Sequence, residues 1–289
     1  MTTSGIEPVS RTYVSQGLKL HYVDWGNEGA PLLLLVHGMR DHARSWDWTA
    51  RALRDRWHVI APDLRGHGDS QWSPDGAYLH AFHVLDIADL IDSVGQAQIT
   101  LIGHSFGGNV CGRYASIFPH RLRKLVLVDS LGPSAEVLAG WIEEGPVKRT
   151  REWIEKRREA AARTPRRFVT LEEAVERMAA ANRHLSPDQA RHLAIHGVRQ
   201  YPDGYGWKYD PVIGSFLPED FAVDTAGFWR EVTAPTLLCW GTESWTSHPE
   251  VDGDAAHFRA HQTVIFEKAG HWLHHDRLDA FLAALREFL

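Results

Sequence analysis

Cysteine is nearly absent from this chain: its 289 residues include two, Cys111 and Cys239. Two thiols cannot build a disulfide framework, so both are expected as buried free cysteines of a reducing compartment. No apolar run approaches the length needed to cross a bilayer. The opening Met1-Thr2-Thr3-Ser4-Gly5-Ile6-Glu7 has neither the basic nor the apolar stretch of a secretory leader. These absences predict a cytoplasmic protein with no membrane partner. Excess positive charge is also missing. The formal net charge is −6, which gives no footing for a nucleic-acid partner. There is no His-Glu-x-x-His pattern, no internal repeat and no low-complexity linker. Neither a metal nor another cofactor is expected.

What the chain does have is a regular alternation of short apolar runs and amphipathic stretches. Residues 11–15 and 18–24 read as a hairpin across Gln16-Gly17. Residues 31–36, 58–61, 98–102, 124–129, 236–241 and 262–267 read as core strands. The run Leu32-Leu33-Leu34-Leu35-Val36 is continuously apolar, as suits a parallel strand buried on both faces. Residues 46–56, 81–94 and 278–289 read as helices between or after these strands. Strands alternating with helices predict an α/β protein, a parallel sheet wrapped on both sides. The alternation stops between Ser130 and Val232. That stretch reads as helices within 136–163, over 171–182 and over 187–197, then an aromatic loop over 201–211. The expected division is a core of residues 1–130 and 233–289, with 131–232 as an inserted helical cap.

The hexapeptide Gly103-His104-Ser105-Phe106-Gly107-Gly108 fits G-x-S-x-G, with a strand before it and a helix after it. A serine on such a sharp turn is held in a strained conformation with its hydroxyl exposed. Glycines flank it because strand and helix cross too closely for side chains. The following helix aims backbone N–H groups at the place where negative charge develops. Ser105 is therefore the candidate nucleophile.

The chain resembles the α/β-hydrolase superfamily. The residues that carry the resemblance are this elbow, His37-Gly38 at a strand end, the segment Pro62-Asp63-Leu64-Arg65-Gly66-His67-Gly68-Asp69-Ser70, and Gly270-His271. In the insertion, Ala181-Asn182-Arg183-His184-Leu185-Ser186 resembles the cap of serine-hydrolase-like proteins. The resemblance implies the α/β-hydrolase fold: a mostly parallel eight-stranded sheet, helices on both faces, a cap over the site, and a Ser-acid-His triad in that chain order. His271 is then the base, since an imidazole can take the serine proton and return it to the leaving group near neutral pH.

The acid is open. Most family members carry it three residues beyond the glycine that is Gly241 here, and that position is Ser244, which cannot hold a charge. Glu243 lies one residue early. The superfamily's second site follows the preceding core strand, where Asp129 stands. Asp129 is preferred and Glu243 is the alternative, with Asp252 and Asp254 behind them. Asp129 also has a purely structural reading, as a turn cap beside Ser130. The oxyanion hole would use the backbone N–H groups of Phe106 and Met39.

Several residues carry two readings. His37, His104, Trp141, Trp207 and Trp272 are candidates for the substrate pocket, although His37 can instead order its loop. Trp153, Tyr205, Tyr209 and Phe216 could add apolar walls. His271 and His275 stand four apart beside His274 and Asp276, a spacing metals use. The preferred reading lets His274 and His275 begin the last helix. The polar loop from Asp63 to Asp69 reads as structural. Residues 148–167 hold nine Lys or Arg against three acids, which could attract an anion but better fits a solvated helix with internal ion pairs.

The expected activity is hydrolysis of a small-molecule carboxylic ester or lactone by a monomer or homodimer. A serine nucleophile disfavours dehalogenase and epoxide-hydrolase chemistry, which needs a carboxylate that forms an alkyl ester. Carbon–carbon bond hydrolysis, cofactor-free oxygenation and a non-catalytic ligand receptor remain as alternatives on the same scaffold.

Overall fold

The computed structural model describes residues 7–133, 135–214 and 225–289, apart from the side chains of Ala135, Leu138, Trp141 and Ile142. The chain opens with strands β1 (Val9–Ser15), β2 (Leu18–Asp24) and β3 (Leu32–Val36), then helix α1 (Asp47–Leu53) and β4 (His58–Pro62). Next come α2 (His80–Val94), β5 (Ile99–His104), α3 (Phe106–Ile117) and β6 (Leu122–Val128). The insertion holds α4 (Ala135–Glu144), α5 (Pro146–Ala162), α6 (Leu171–Ala181), α7 (Pro187–Gly197), β7 (Val198–Tyr201), β8 (Gly204–Trp207) and α8 (Thr225–Glu231). The chain closes with β9 (Thr236–Gly241), β10 (His261–Phe266), α9 (Leu273–Asp276) and α10 (Leu278–Phe288).

Eight strands form one sheet in the order β1-β2-β4-β3-β5-β6-β9-β10. The pairings β1/β2 and β2/β4 are antiparallel and the other five are parallel. Side chains alternate across each strand, and both faces are covered. Leu32, Leu34 and Val36 of β3 join Ile87 and Ile91 of α2 and Val110 and Tyr114 of α3 in one core. Leu33 and Leu35 face the other side, with Ala50 of α1 and Phe281 and Leu285 of α10. The run of β3 is apolar throughout because neither face meets water. Cys111 and Cys239 are both free and buried.

Local signals set the helix ends. Gly95 closes α2 in the left-handed region, at φ 77°. Ser186 and Gln189 form a reciprocal capping box at the start of α7, with Pro187 in its first turn.

Three expectations need correction. The stretch over 201–211 is not simply a loop: β7 and β8 pair antiparallel from Val198↔Trp207 to Tyr201↔Gly204. Its alternating aromatics are strand residues beside a two-residue turn. His274 and His275 do not begin the last helix. They lie on α9, and Arg277, at φ −130° and ψ 46°, separates it from α10. The helix expected over 46–56 starts as a 3₁₀ turn, Ala43–Trp46, and ends at Leu53.

The insertion sits on the core through polar contacts. His42 Nε2 donates to the Leu193 carbonyl at 3.0 Å, and Gln189 Nε2 to the His275 carbonyl at 3.1 Å. The Tyr78 hydroxyl donates to Asp210 at 2.5 Å.

Candidate active site

Three strand ends deliver three side chains to one point at the carboxyl edge of the parallel sheet, where this architecture places its ligand crevice. Ser105 follows β5 with φ 51° and ψ −122°. A Cβ on Gly103 would lie 2.6 Å from the Gly107 carbonyl oxygen, and one on Gly107 would lie 2.3 Å from that of His37. Both contacts are with backbone, so only glycine lets strand and helix meet this closely.

Asp129 follows β6, also at positive φ (50°), and its N–H donates to the Cys239 carbonyl at 2.8 Å. His271 sits in the connection between β10 and α9. The Ser105 hydroxyl and His271 Nε2 are 2.8 Å apart, and His271 Nδ1 lies 2.5 Å from Asp129 Oδ2. With Nδ1–H donating to the carboxylate, Nε2 is left as the acceptor for the serine proton.

Asp129 is fully buried, and two more donors hold it. The Ser244 hydroxyl donates to Oδ2 at 2.5 Å and that of Thr246 to Oδ1 at 3.0 Å. Ser244, which looked like a gap in the triad, therefore touches the carboxylate that His271 uses. Glu243 is elsewhere: Arg183 and His184 bind its carboxylate, the latter at 3.0 Å. Desolvation favours a higher Glu243 pKa, but those two partners outweigh it and hold the carboxyl below its ordinary range. The structure brings Asp129, not Glu243, to His271.

His104 lies beneath the site. Its Nε2–H donates to the His271 carbonyl at 2.8 Å, which ties the His271 backbone to the turn that carries Ser105. Burial, reinforced by the His271 ring, drives His104 well below its ordinary pKa and keeps it neutral. Met39, Phe106, His104 and Trp272 line a cavity of ≈ 430 Å³ together with Ser105 and His271. Phe106 opens α3, so its N–H stands at the positive end of the helix dipole.

Other expected pocket residues lie apart from this cavity. His37 is wholly buried; its Nδ1–H donates to the Gly38 carbonyl at 2.7 Å and its Nε2 accepts from Leu64 N at 3.0 Å. It pins the loop rather than lining the cavity. Trp207 packs edge-on against Phe168, with ring centres 5.3 Å apart, inside the insertion. The side chain of Trp141 and all of Phe216 lie outside the described residues. Arg40, Trp245 and Thr246, which no sequence motif marks, also line the cavity. Trp245 is 68% exposed, with its ring centre 5.0 Å from that of His271. No helical or strand period marks loop residues like these.

Among the described residues, two clusters have metal-like composition, Asp47/His192/His196 and His21/Asp63/Asp69. Both are already satisfied internally. Arg44 grips Asp47 from Nε at 2.9 and 2.8 Å, and Asp63 accepts from Ala43 N, Asp69 N and the His21 ring.

A family model for the alpha/beta hydrolase fold matches residues 31–278. The chain belongs to this family. Esterase Rv0045c of Mycobacterium tuberculosis is 28% identical over 275 residues, covering 92% of this chain and 84% of that one. Mouse epoxide hydrolase 4 is 36% identical over 119 residues, covering 41% of this chain. The match spans only 33% of that relative's length. Among solved structures, E-2-(acetamidomethylene)succinate hydrolase superposes with a TM-score of 0.82 over 98% of this chain and 99% of its own, at 21% identity. These similarities give the chain the α/β-hydrolase fold and family. No helix among its described residues is long and apolar enough to cross a membrane.

Proposed function

We propose that this α/β-hydrolase cleaves carboxylic ester or lactone bonds through an acyl-enzyme on Ser105. The observation that carries the reading is the hydrogen-bonded line from the Ser105 hydroxyl through His271 to Asp129, at 2.8 and 2.5 Å. In this mechanism His271 Nε2 takes the serine proton as Oγ attacks the carbonyl carbon. Asp129 holds the ring in the required tautomer and stabilises the imidazolium that forms. The N–H groups of Phe106 and Met39 receive the oxyanion. Removing one such donor typically costs about 3 kcal/mol of transition-state stabilisation.

Collapse of the tetrahedral intermediate breaks the C–O bond, and the imidazolium proton goes to the departing alkoxide. Water then gives its proton to His271, and its hydroxide attacks the acyl carbonyl. The second collapse releases the acid and returns the proton to Ser105. The insertion acts as a cap that limits what enters.

Similarity to an enzyme named epoxide hydrolase does not redirect this chemistry. Epoxide opening through an alkyl ester needs a carboxylate nucleophile, and the elbow here carries a hydroxyl. A fluorophosphonate probe tests the proposal. Native protein should be labelled on Ser105 and Ser105→Ala should not. Equal labelling of both, or none of the native protein, removes the serine-hydrolase reading.

A further inference from the structure

Apart from Asp129, Arg40 is the only Asp, Glu, Lys or Arg among the described residues lining the cavity. Asp129 is occupied by His271, Ser244 and Thr246. Arg40 is not so occupied. It is exposed, and no carboxylate among the described residues pairs with it. Its guanidinium rests over the Tyr209 ring, with Cζ 5.7 Å from the ring centre. A Cβ on Gly214, another cavity residue, would lie 2.3 Å from its terminal nitrogen, so the side chain lies close along that wall.

The backbone of Arg40 is also unusual. Its φ is 60°, a region that a long side chain rarely adopts. Six non-glycine residues among those described have positive φ, and three of them, Arg40, Ser105 and Asp129, line this one cavity. Such conformations persist where the surroundings impose them, and they cluster at sites that need a side chain in one place.

We infer that Arg40 binds a carboxylate carried by the substrate, so that the preferred ester bears a second, ionised carboxyl group. The inference rests on the hydrolytic reading above and names its substrate class. A guanidinium presents a planar fork that matches a carboxylate with two parallel N–H···O bonds. Among the described residues no ion pair has to be broken first. Met39, Phe106 and Pro133 of the same lining carry no side-chain donor for an anion, whereas the guanidinium carries five N–H groups. The carboxylate can belong to the acyl part or to the alcohol part of the ester.

The test compares matched esters on one protein preparation. For the acyl side the pair is the p-nitrophenyl hemiester of glutarate and p-nitrophenyl butanoate. For the alcohol side it is 4-acetoxybutanoate and butyl acetate. Native protein should favour the charged member of one pair by roughly tenfold to hundredfold in kcat/KM, the range of a hydrogen bond between charged groups. The pair that shows the preference identifies the side bearing the carboxylate. High salt should shrink the preference. Arg40→Gln should reduce the ratio to near one, and Arg40→Lys should keep part of it. The ratio cancels any loss of folded protein.

If native protein shows no preference in either pair, or Arg40→Gln keeps it, the carboxylate site is wrong while ester hydrolysis stands. If no ester is cleaved and the fluorophosphonate leaves Ser105 unlabelled, both readings fall.

Discussion

The sheet and the insertion are held together in unequal ways. Each face of the sheet buries a continuous cluster, from Tyr13 to Phe258 on one side and from Val23 to Phe288 on the other. Among the described residues, the insertion's own cluster has four buried members, Phe168, Ala174, Ala194 and Val198. Helix α5 has no buried residue at all, and Val147 on it is 72% exposed. Ser105, Asp129 and His271 all hang from the well-packed part. Gly214 and the wall carrying Tyr209 belong to the lightly packed part. A reaction needs fixed distances, whereas selection among substrates tolerates a wall that gives. Under the proposed function, bond breaking falls to the sheet and choice of substrate to the insertion.

The sharpest test of that division lies in catalysis. Ser105→Ala should lower kcat by up to ~10⁶, and Asp129→Asn by up to ~10⁴, in steady-state assays. Glu243→Gln, at the border with the insertion, should change kcat by no more than about threefold, since it breaks only an exposed ion pair. If Glu243→Gln is the damaging change, the acid has been assigned to the wrong region.

Stability gives the next contrast. Leu34→Ala, fully buried on β3, should cost about 2–5 kcal/mol in denaturant unfolding. Ile154→Ala on α5 should cost no more than about 0.5 kcal/mol. Equal losses would mean that the insertion is packed as firmly as the sheet.

A smaller effect concerns the support of the acid. Ser244→Ala removes a donor to Asp129 and should lower kcat roughly tenfold with little change in KM. A change in KM alone would place Ser244 among substrate contacts instead.

The last contrast is in pH. Burial lowers His42 to about 4, and burial followed by Arg44 lowers His196 to about 3. His42 bonds to α7 and His196 lies on it. Both folded values are below the unfolded value of about 6.5, so the unfolded chain binds more protons between those limits. Their stabilisation is complete above about pH 6.5 and is lost as pH falls toward 4 and then 3. Asp41, pushed up to about 7 by burial, works in the opposite sense and gains stability as pH falls below 7. With His42 and His196 acting against Asp41, acid should loosen α7 before β6, a core strand that carries no histidine. Hydrogen exchange, with intrinsic rates divided out, should show α7 losing protection first. Simultaneous loss would erase the distinction.

Legibility in the sequence follows the same division. Parallel strands buried on both faces become apolar runs, so β3, β5 and β6 stand out without any knowledge of contacts. The elbow stands out because its glycines are demanded by backbone approach. The insertion's β7–β8 hairpin is hidden because four-residue strands leave too short a period to detect. The acid stayed open for a different reason. Residues 129 and 244 are 115 positions apart, yet their side chains meet at 2.5 Å, and no linear spacing reveals such a convergence. Arg40 and Trp245 lie in loops, where exposure and direction depend on the whole fold.

Under the proposed triad, the Ser244–Asp129 contact also limits how the acid could change place in this chain. Both positions reach the same small volume beside His271 Nδ1. Two carboxylates there could not both stay ionised; they would share a proton, and the imidazolium would face a weakened counter-charge. The acid therefore cannot pass from one position to the other through a form that carries both at full effect. A hydroxyl at the vacated address is the compatible tenant, because it donates to whichever carboxylate occupies the other. The serine at 244 thus leaves a route open: paired exchange, Asp129→Ser with Ser244→Asp, would hand the charge across without the crowded intermediate.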